Sequence, residues 1–145
     1  MLSGETLSVN QSETLTRRES VASRDALRGP VLVVDGDAAL RRVVRLVLEG
    51  AGWRTFTTAD MDAAEEIVRA ERPKLVIAEV KLPNEQLGQE LARRFAKNRG
   101  WRPRVALMSA YPRPRRGYED YFLRKPLEFD QIIALLESID GEPSR

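Results

Sequence analysis

The chain has 145 residues, 42% hydrophobic and 32% charged, which suits one domain with a packed core plus a tail. Cysteine and histidine are both absent, which excludes disulfides, thiolate catalysis, most zinc sites, a phosphohistidine carrier and an imidazole base. The net charge of +2 argues against bulk nucleic-acid binding, and no apolar run approaches the ~20 residues of a membrane span.

Residues 1–28 are rich in Ser and Thr, lack aromatics, and scatter their apolar residues too thinly to offset chain entropy. A disordered tail is expected there. No basic-then-apolar leader opens it, so a cytoplasmic location is expected. Domain organisation follows as a core over residues 29–141 and a short tail over 142–145. With the sequence ending soon after Ile139, no attached output domain is expected.

After Gly29-Pro30 the pattern becomes regular. Val31 to Val34 is an apolar run of buried-strand type. Leu40, Val43, Val44 and Val47 then recur at helical spacing, with Arg41, Arg42, Arg45 and Glu49 on the other face. Gly50-Ala51-Gly52 stops that helix. Trp53 to Thr57 predicts a second strand. Asp60 or Asp62 caps a helix running through Ala70, with Ala63, Ala64, Ile67 and Val68 inward. Pro73 precedes a third strand, Leu75 to Val80, and a helix is predicted from about Asn84 to Lys97. Arg104 to Met108 is a fourth strand, ending at Ser109. Between Ser109 and Tyr121, two prolines and a glycine leave no room for a helix, so a loop or a single turn is predicted. Tyr121 to Arg124 is a fifth strand, and Glu128 to Ile139 a last helix.

Strands alternating with helices imply right-handed crossovers and a parallel sheet. Asp35, Glu79, Ser109 and Lys125 all fall at carboxyl ends of strands, so a parallel sheet brings them to one edge. Val31-Leu32-Val33-Val34-Asp35, the Pro73 to Pro83 segment, Val105 to Ala110 and Tyr121 to Pro126 occur here in an order that resembles the receiver domain of bacterial two-component response regulators. The likeness covers roughly residues 30 to 140. It implies a flavodoxin-like, doubly wound α/β fold with five parallel strands in the order 2-1-3-4-5, here with the fourth helix shortened or absent.

In that family a third-strand aspartate becomes an acyl phosphate. Two adjacent acids hold Mg²⁺, and a hydroxyl and a lysine contact the phosphoryl oxygens while an aromatic of the fifth strand turns inward. By the resemblance, Asp35 matches the first acid, Ser109 the hydroxyl, Lys125 the lysine, Pro126 the cis-proline and Phe122 the aromatic switch. Two positions depart. Gly36 stands where the direct metal ligand belongs, and Glu79 stands at the acceptor, one methylene longer than aspartate. A misplacement of about 1 Å costs on the order of a hundredfold in rate. Asp37 is a substitute ligand on one reading and a helix N-cap on the other. Gly88 matches the glycine that opens the third helix but comes one position late, which implies a reshaped loop before it.

The resulting expectation is a pseudo-receiver, not an enzyme, with no metal and no cofactor, working through protein–protein contacts independently of phosphorylation. The alternative is a working receiver with Asp35, Asp37 and Glu79 as a rearranged Mg²⁺ site. Glu79 either imitates part of the phosphorylated charge or only keeps Lys125 satisfied; in both cases the two are expected to pair. Ser109 as a strand-end hydrogen bonder and Phe122 as core packing are the ordinary readings of those residues. Arg113, Arg115 and Arg116 read as a solvated loop or as a partner or anion site. The protein partner is unknown, a homodimer is left open, and neither membrane nor nucleic acid is expected as a partner.

Overall fold

In the computed structural model, residues 27–142 are described. The expected tail therefore lies outside them, apart from Leu27 and Arg28, and Arg28 already belongs to the first strand. Residues 143–145 of the short C-terminal tail lie outside as well.

Five parallel strands form one sheet in the order β2-β1-β3-β4-β5. They are β1 (Arg28–Val34), β2 (Trp53–Thr58), β3 (Leu75–Glu79), β4 (Arg104–Ser109) and β5 (Tyr121–Arg124). The helices are α1 (Ala38–Gly50), α2 (Met61–Glu71), α3 (Gly88–Ala96) and α4 (Phe129–Asp140). The sheet is apolar on both faces because each strand alternates its side chains. Val31 and Val33 enter a core with Val44 and Leu48 of α1 and Ile132 and Leu136 of α4. Leu32 and Val34 enter the opposite core with Ala64 and Val68 of α2 and Leu91 and Phe95 of α3. All four β1 residues are fully buried, each burial stabilising by about 1.5–3 kcal/mol.

Local chemistry sets the helix starts. Asp37 caps α1, its carboxylate accepting from Ala39 N at 2.9 Å and Leu40 N at 3.2 Å. Asp60, rather than Asp62, caps α2 through Ala63 N at 2.9 Å. No helix among the described residues is long and apolar enough to cross a membrane.

Three expectations change in detail. Val43, placed inward by its spacing, is 45% exposed, because Val44 and Leu48 set the phase of α1 and Val43 lies about 100° round from Val44. Strand β3 stops at Glu79, one residue before Val80. The third helix does not begin at Asn84. A 3-10 turn covers Pro83–Glu85, with Asn84 and Glu85 both at φ 60°, and α3 starts at Gly88. The cause is a close approach: a Cβ on Gly88 would lie 2.3 Å from the Glu79 carbonyl oxygen. Only glycine lets the first turn of α3 come that close to the end of β3, and the Gly88 N–H donates to Val80 O at 2.9 Å. Residues 110–120 contain no helix, so none crosses between β4 and β5.

Candidate functional site

The strand ends converge as their register dictates. Val34 pairs with Ala78, Glu79 with Met108, and Ser109 with Arg124, so the residues that end or follow these strands share one edge. There the Lys125 ammonium donates to Glu79 Oε1 at 2.5 Å and to Asp35 Oδ2 at 2.9 Å. Asp35 is 2% exposed, and its other oxygen accepts from Asp37 N at 2.8 Å. Arg41 reaches back to donate to the Asp35 carbonyl at 2.6 Å. The Lys125 backbone N–H donates to Ser109 O at 2.9 Å, and the Lys125–Pro126 peptide is cis.

Two carboxylates thus share one ammonium. Burial pushes the Glu79 carboxyl above its ordinary range, and the nearby charges of Asp35 and Asp37 add to this; the Lys125 hydrogen bond opposes it without prevailing. Burial alone would lower Lys125, but hydrogen bonds to Glu79 and Asp35 outweigh it, so the ammonium is held above its ordinary value. The lysine gains from both acids, whereas Glu79 must share its cation.

Ser109 ends β4 at 7% exposure, and its Oγ accepts from Tyr111 N at 3.0 Å. Phe122 is half-buried against the core on the α2–α3 side, paired in register with Leu107. The arginine loop divides. Arg113 is no free cation: its Nε and Nη2 donate to Glu119 Oε2 at 3.2 and 2.9 Å, and its guanidinium stands 5.7 Å from the centre of the Phe122 ring. Glu119, at 4% exposure, is the residue that sequence reasoning missed. It also accepts from Gly117 N at 3.2 Å, so one buried carboxylate organises the helix-free loop over Phe122. Arg115 and Arg116 are exposed.

Residues 31–137 match the family described as response regulator receiver domain. The chain belongs to that family. The Salmonella choleraesuis virulence transcriptional regulatory protein PhoP is 26% identical over 121 residues, covering 75% of this chain and 50% of PhoP. The chain thus spans about half the length of that relative. Among solved structures, a putative response regulator from Chloroflexus aurantiacus is 22% identical with TM-score 0.67, covering 79% of this chain and 98% of its own. The chemotaxis response regulator CheY4 of Vibrio cholerae is 20% identical with TM-score 0.66, covering 76% and 97%.

Receivers that accept a phosphoryl group need Mg²⁺, an ion that requires near-octahedral oxygen ligands. The residues of this receiver do not fit it. Gly36 offers no side chain, and a Cβ there would meet Pro83 Cγ at 3.0 Å and Cδ at 3.1 Å. Asp37 is spent on capping α1, while Asp35 and Glu79 face the Lys125 ammonium. Among the described residues no three acidic side chains are grouped to hold a metal ion.

Proposed function

We propose that this receiver is a phosphorylation-independent, non-enzymatic interaction module of bacterial signal transduction, acting in the cytoplasm through contacts with a protein partner. The observation that carries the reading is Lys125, whose ammonium is already held by Glu79 at 2.5 Å and Asp35 at 2.9 Å. In a phosphoryl-accepting receiver, that ammonium is the group left to neutralise the incoming phosphoryl oxygens. Here a carboxylate on a longer side chain has taken its place, beside a glycine that supplies no metal ligand. The carboxylate carries one charge and two oxygens, against nearly two charges and three oxygens for a phosphate. Glu79 therefore supports a fixed arrangement of the pocket rather than a full imitation of a phosphorylated one.

The test is direct. The protein is incubated with acetyl phosphate, and separately with beryllofluoride, each with Mg²⁺, and its intact mass and tryptophan fluorescence are followed. No adduct and no spectral change are expected. Stoichiometric modification at Glu79 or Asp35 would sink the proposal.

A further inference from the structure

Among the described residues five large apolar side chains are exposed, and two of them, Val43 at 45% and Leu46 at 67%, stand one turn apart on α1. Ala39, four residues before Val43, is exposed, and so is Gly50, four residues after Leu46. Spacings of four, three and four place Ala39, Val43, Leu46 and Gly50 on one stripe of the helix. The stripe faces away from Val44 and Leu48, the residues that bury α1 on the sheet. A single exposed leucine needs no explanation. A stripe at this spacing is the seam that a pair of helices buries.

The seam is complementary to itself. When two copies of α1 lie antiparallel, Val43 of one meets Leu46 of the other, and Ala39 meets Gly50. Large residues fill the middle and small residues the ends. In an antiparallel pair each flank of the seam also meets its own kind. One flank is Leu40 and Val47, both half-buried, which meet each other and widen the apolar contact. The other flank is Arg42 and Glu49, so Arg42 of each copy faces Glu49 of the other. Both groups are available. Arg42 is exposed and has no carboxylate partner among the described residues. Glu49 holds only Arg45 at 3.6 Å, beyond hydrogen-bond length. A parallel pair would set Arg42 against the apolar Val47 instead, so the charges select the antiparallel orientation.

We propose that α1 is a self-association face, through which two copies of the chain pair antiparallel about a two-fold axis passing between Val43 and Leu46. This names a second copy as one protein contact of the proposed interaction module, and it uses nothing of the Lys125 pocket. The helix has 13 residues, a length of about 20 Å at 1.5 Å per residue. A seam of that length falls below the ~1,200 Å² of most stable complexes, so the dimer is weak, with a Kd on the order of 10 µM.

The test is sedimentation equilibrium of the full 145-residue chain from about 1 to about 500 µM, a range that brackets this Kd. The average mass is expected to climb from 16.4 kDa toward twice that value. Val43→Ser with Leu46→Ser is expected to weaken association at least about tenfold. Arg42→Glu alone and Glu49→Arg alone each place like charges together twice in the dimer and are expected to weaken it about tenfold. An equimolar mixture of those two variants restores opposite charges at both places, so it is expected to associate about as well as the parent. All four substituted residues lie on the outer side of α1, and circular dichroism checks that each variant is folded. A chain that stays monomeric over this range, serine substitutions that leave association unchanged, or a mixture no tighter than its components overturns the proposal; the first outcome would assign the stripe to a helix of a different protein. None of these outcomes touches the phosphorylation-independent reading, which falls only to an adduct in the phosphodonor assay.

Discussion

Glu79 carries an ionised carboxylate in a place that disfavours it, since burial and Asp35 both raise its pKa against the pull of Lys125. The sign of the consequence is the reverse of the usual one for an acid. The unfolded group titrates near 4.5 and the folded group above that, so the native state binds the proton more readily. The stabilisation from this proton is fully present below pH 4.5 and is lost as pH rises through the folded value. In Glu79→Gln this dependence disappears, so the urea midpoint of the variant is expected to gain on that of the parent as pH rises through the window. A variant that loses ground over the same range would mean that Lys125 outweighs burial. At this scale the sequence was informative where a residue ends a strand, because topology alone gathers such residues. It was silent on Glu119, whose partner Arg113 meets it only through the fold of a loop, and on Pro83, whose ring lies over Gly36.

The junction of β3 with α3 shows how one residue type constrains two elements. At Gly88 a Cβ would meet backbone, the Glu79 carbonyl oxygen at 2.3 Å, whereas at Gly36 it would meet only the Pro83 ring at 3.0 Å. Backbone of a central strand has little room to yield, while a surface proline can shift. Gly88→Ala is therefore expected to lose about 1–3 kcal/mol of stability in urea titration, and Gly36→Ala clearly less. Equal losses would show that the contact at Gly88 relaxes freely. The strands were legible because runs such as Val31 to Val34 are apolar without interruption and are buried on both faces. Helix phase in α1 was less so, since Leu40, Val43, Val44, Leu46, Val47 and Leu48 make most of its circumference apolar. The turn at Asn84 and Glu85 was hidden, because Pro-Asn-Glu-Gln has the composition of a helix start and contains no glycine to mark two consecutive residues at φ 60°.

Across the whole molecule, the edge of the sheet opposite the acidic pocket is closed by ion pairs between distant segments. Lys74, before β3, bonds Asp140 at the end of α4, and Arg28 of β1 reaches Glu137 and Asp140. The Lys74 hydrogen bond holds the Asp140 carboxyl below its ordinary value of 3.8. Its stabilisation is present above pH 3.8 and is lost as pH falls through the folded value. Acid unfolding followed by circular dichroism should therefore be less steep below pH 3.8 in Asp140→Asn than in the parent; an unchanged profile would show that solvent screens this pair completely. The parallel sheet was readable from the alternation of strands and helices and the missing crossover helix from the prolines and glycine between Ser109 and Tyr121, whereas the order of strands came from the family resemblance. The closure by Lys74 and Asp140, 66 residues apart, depends on none of these signals.

The bare Cα of Gly88 has a mechanical consequence. Because a Cβ there would clash with the Glu79 carbonyl oxygen, the first turn of α3 lies closer to the strand end than any other residue type allows. The helix is 9 residues long, roughly 14 Å at 1.5 Å per residue. The helix is thus seated on the end of β3 at Gly88 and anchored in the core by Phe95 at its other end, which ties the position of the Glu79 backbone to that of the whole element.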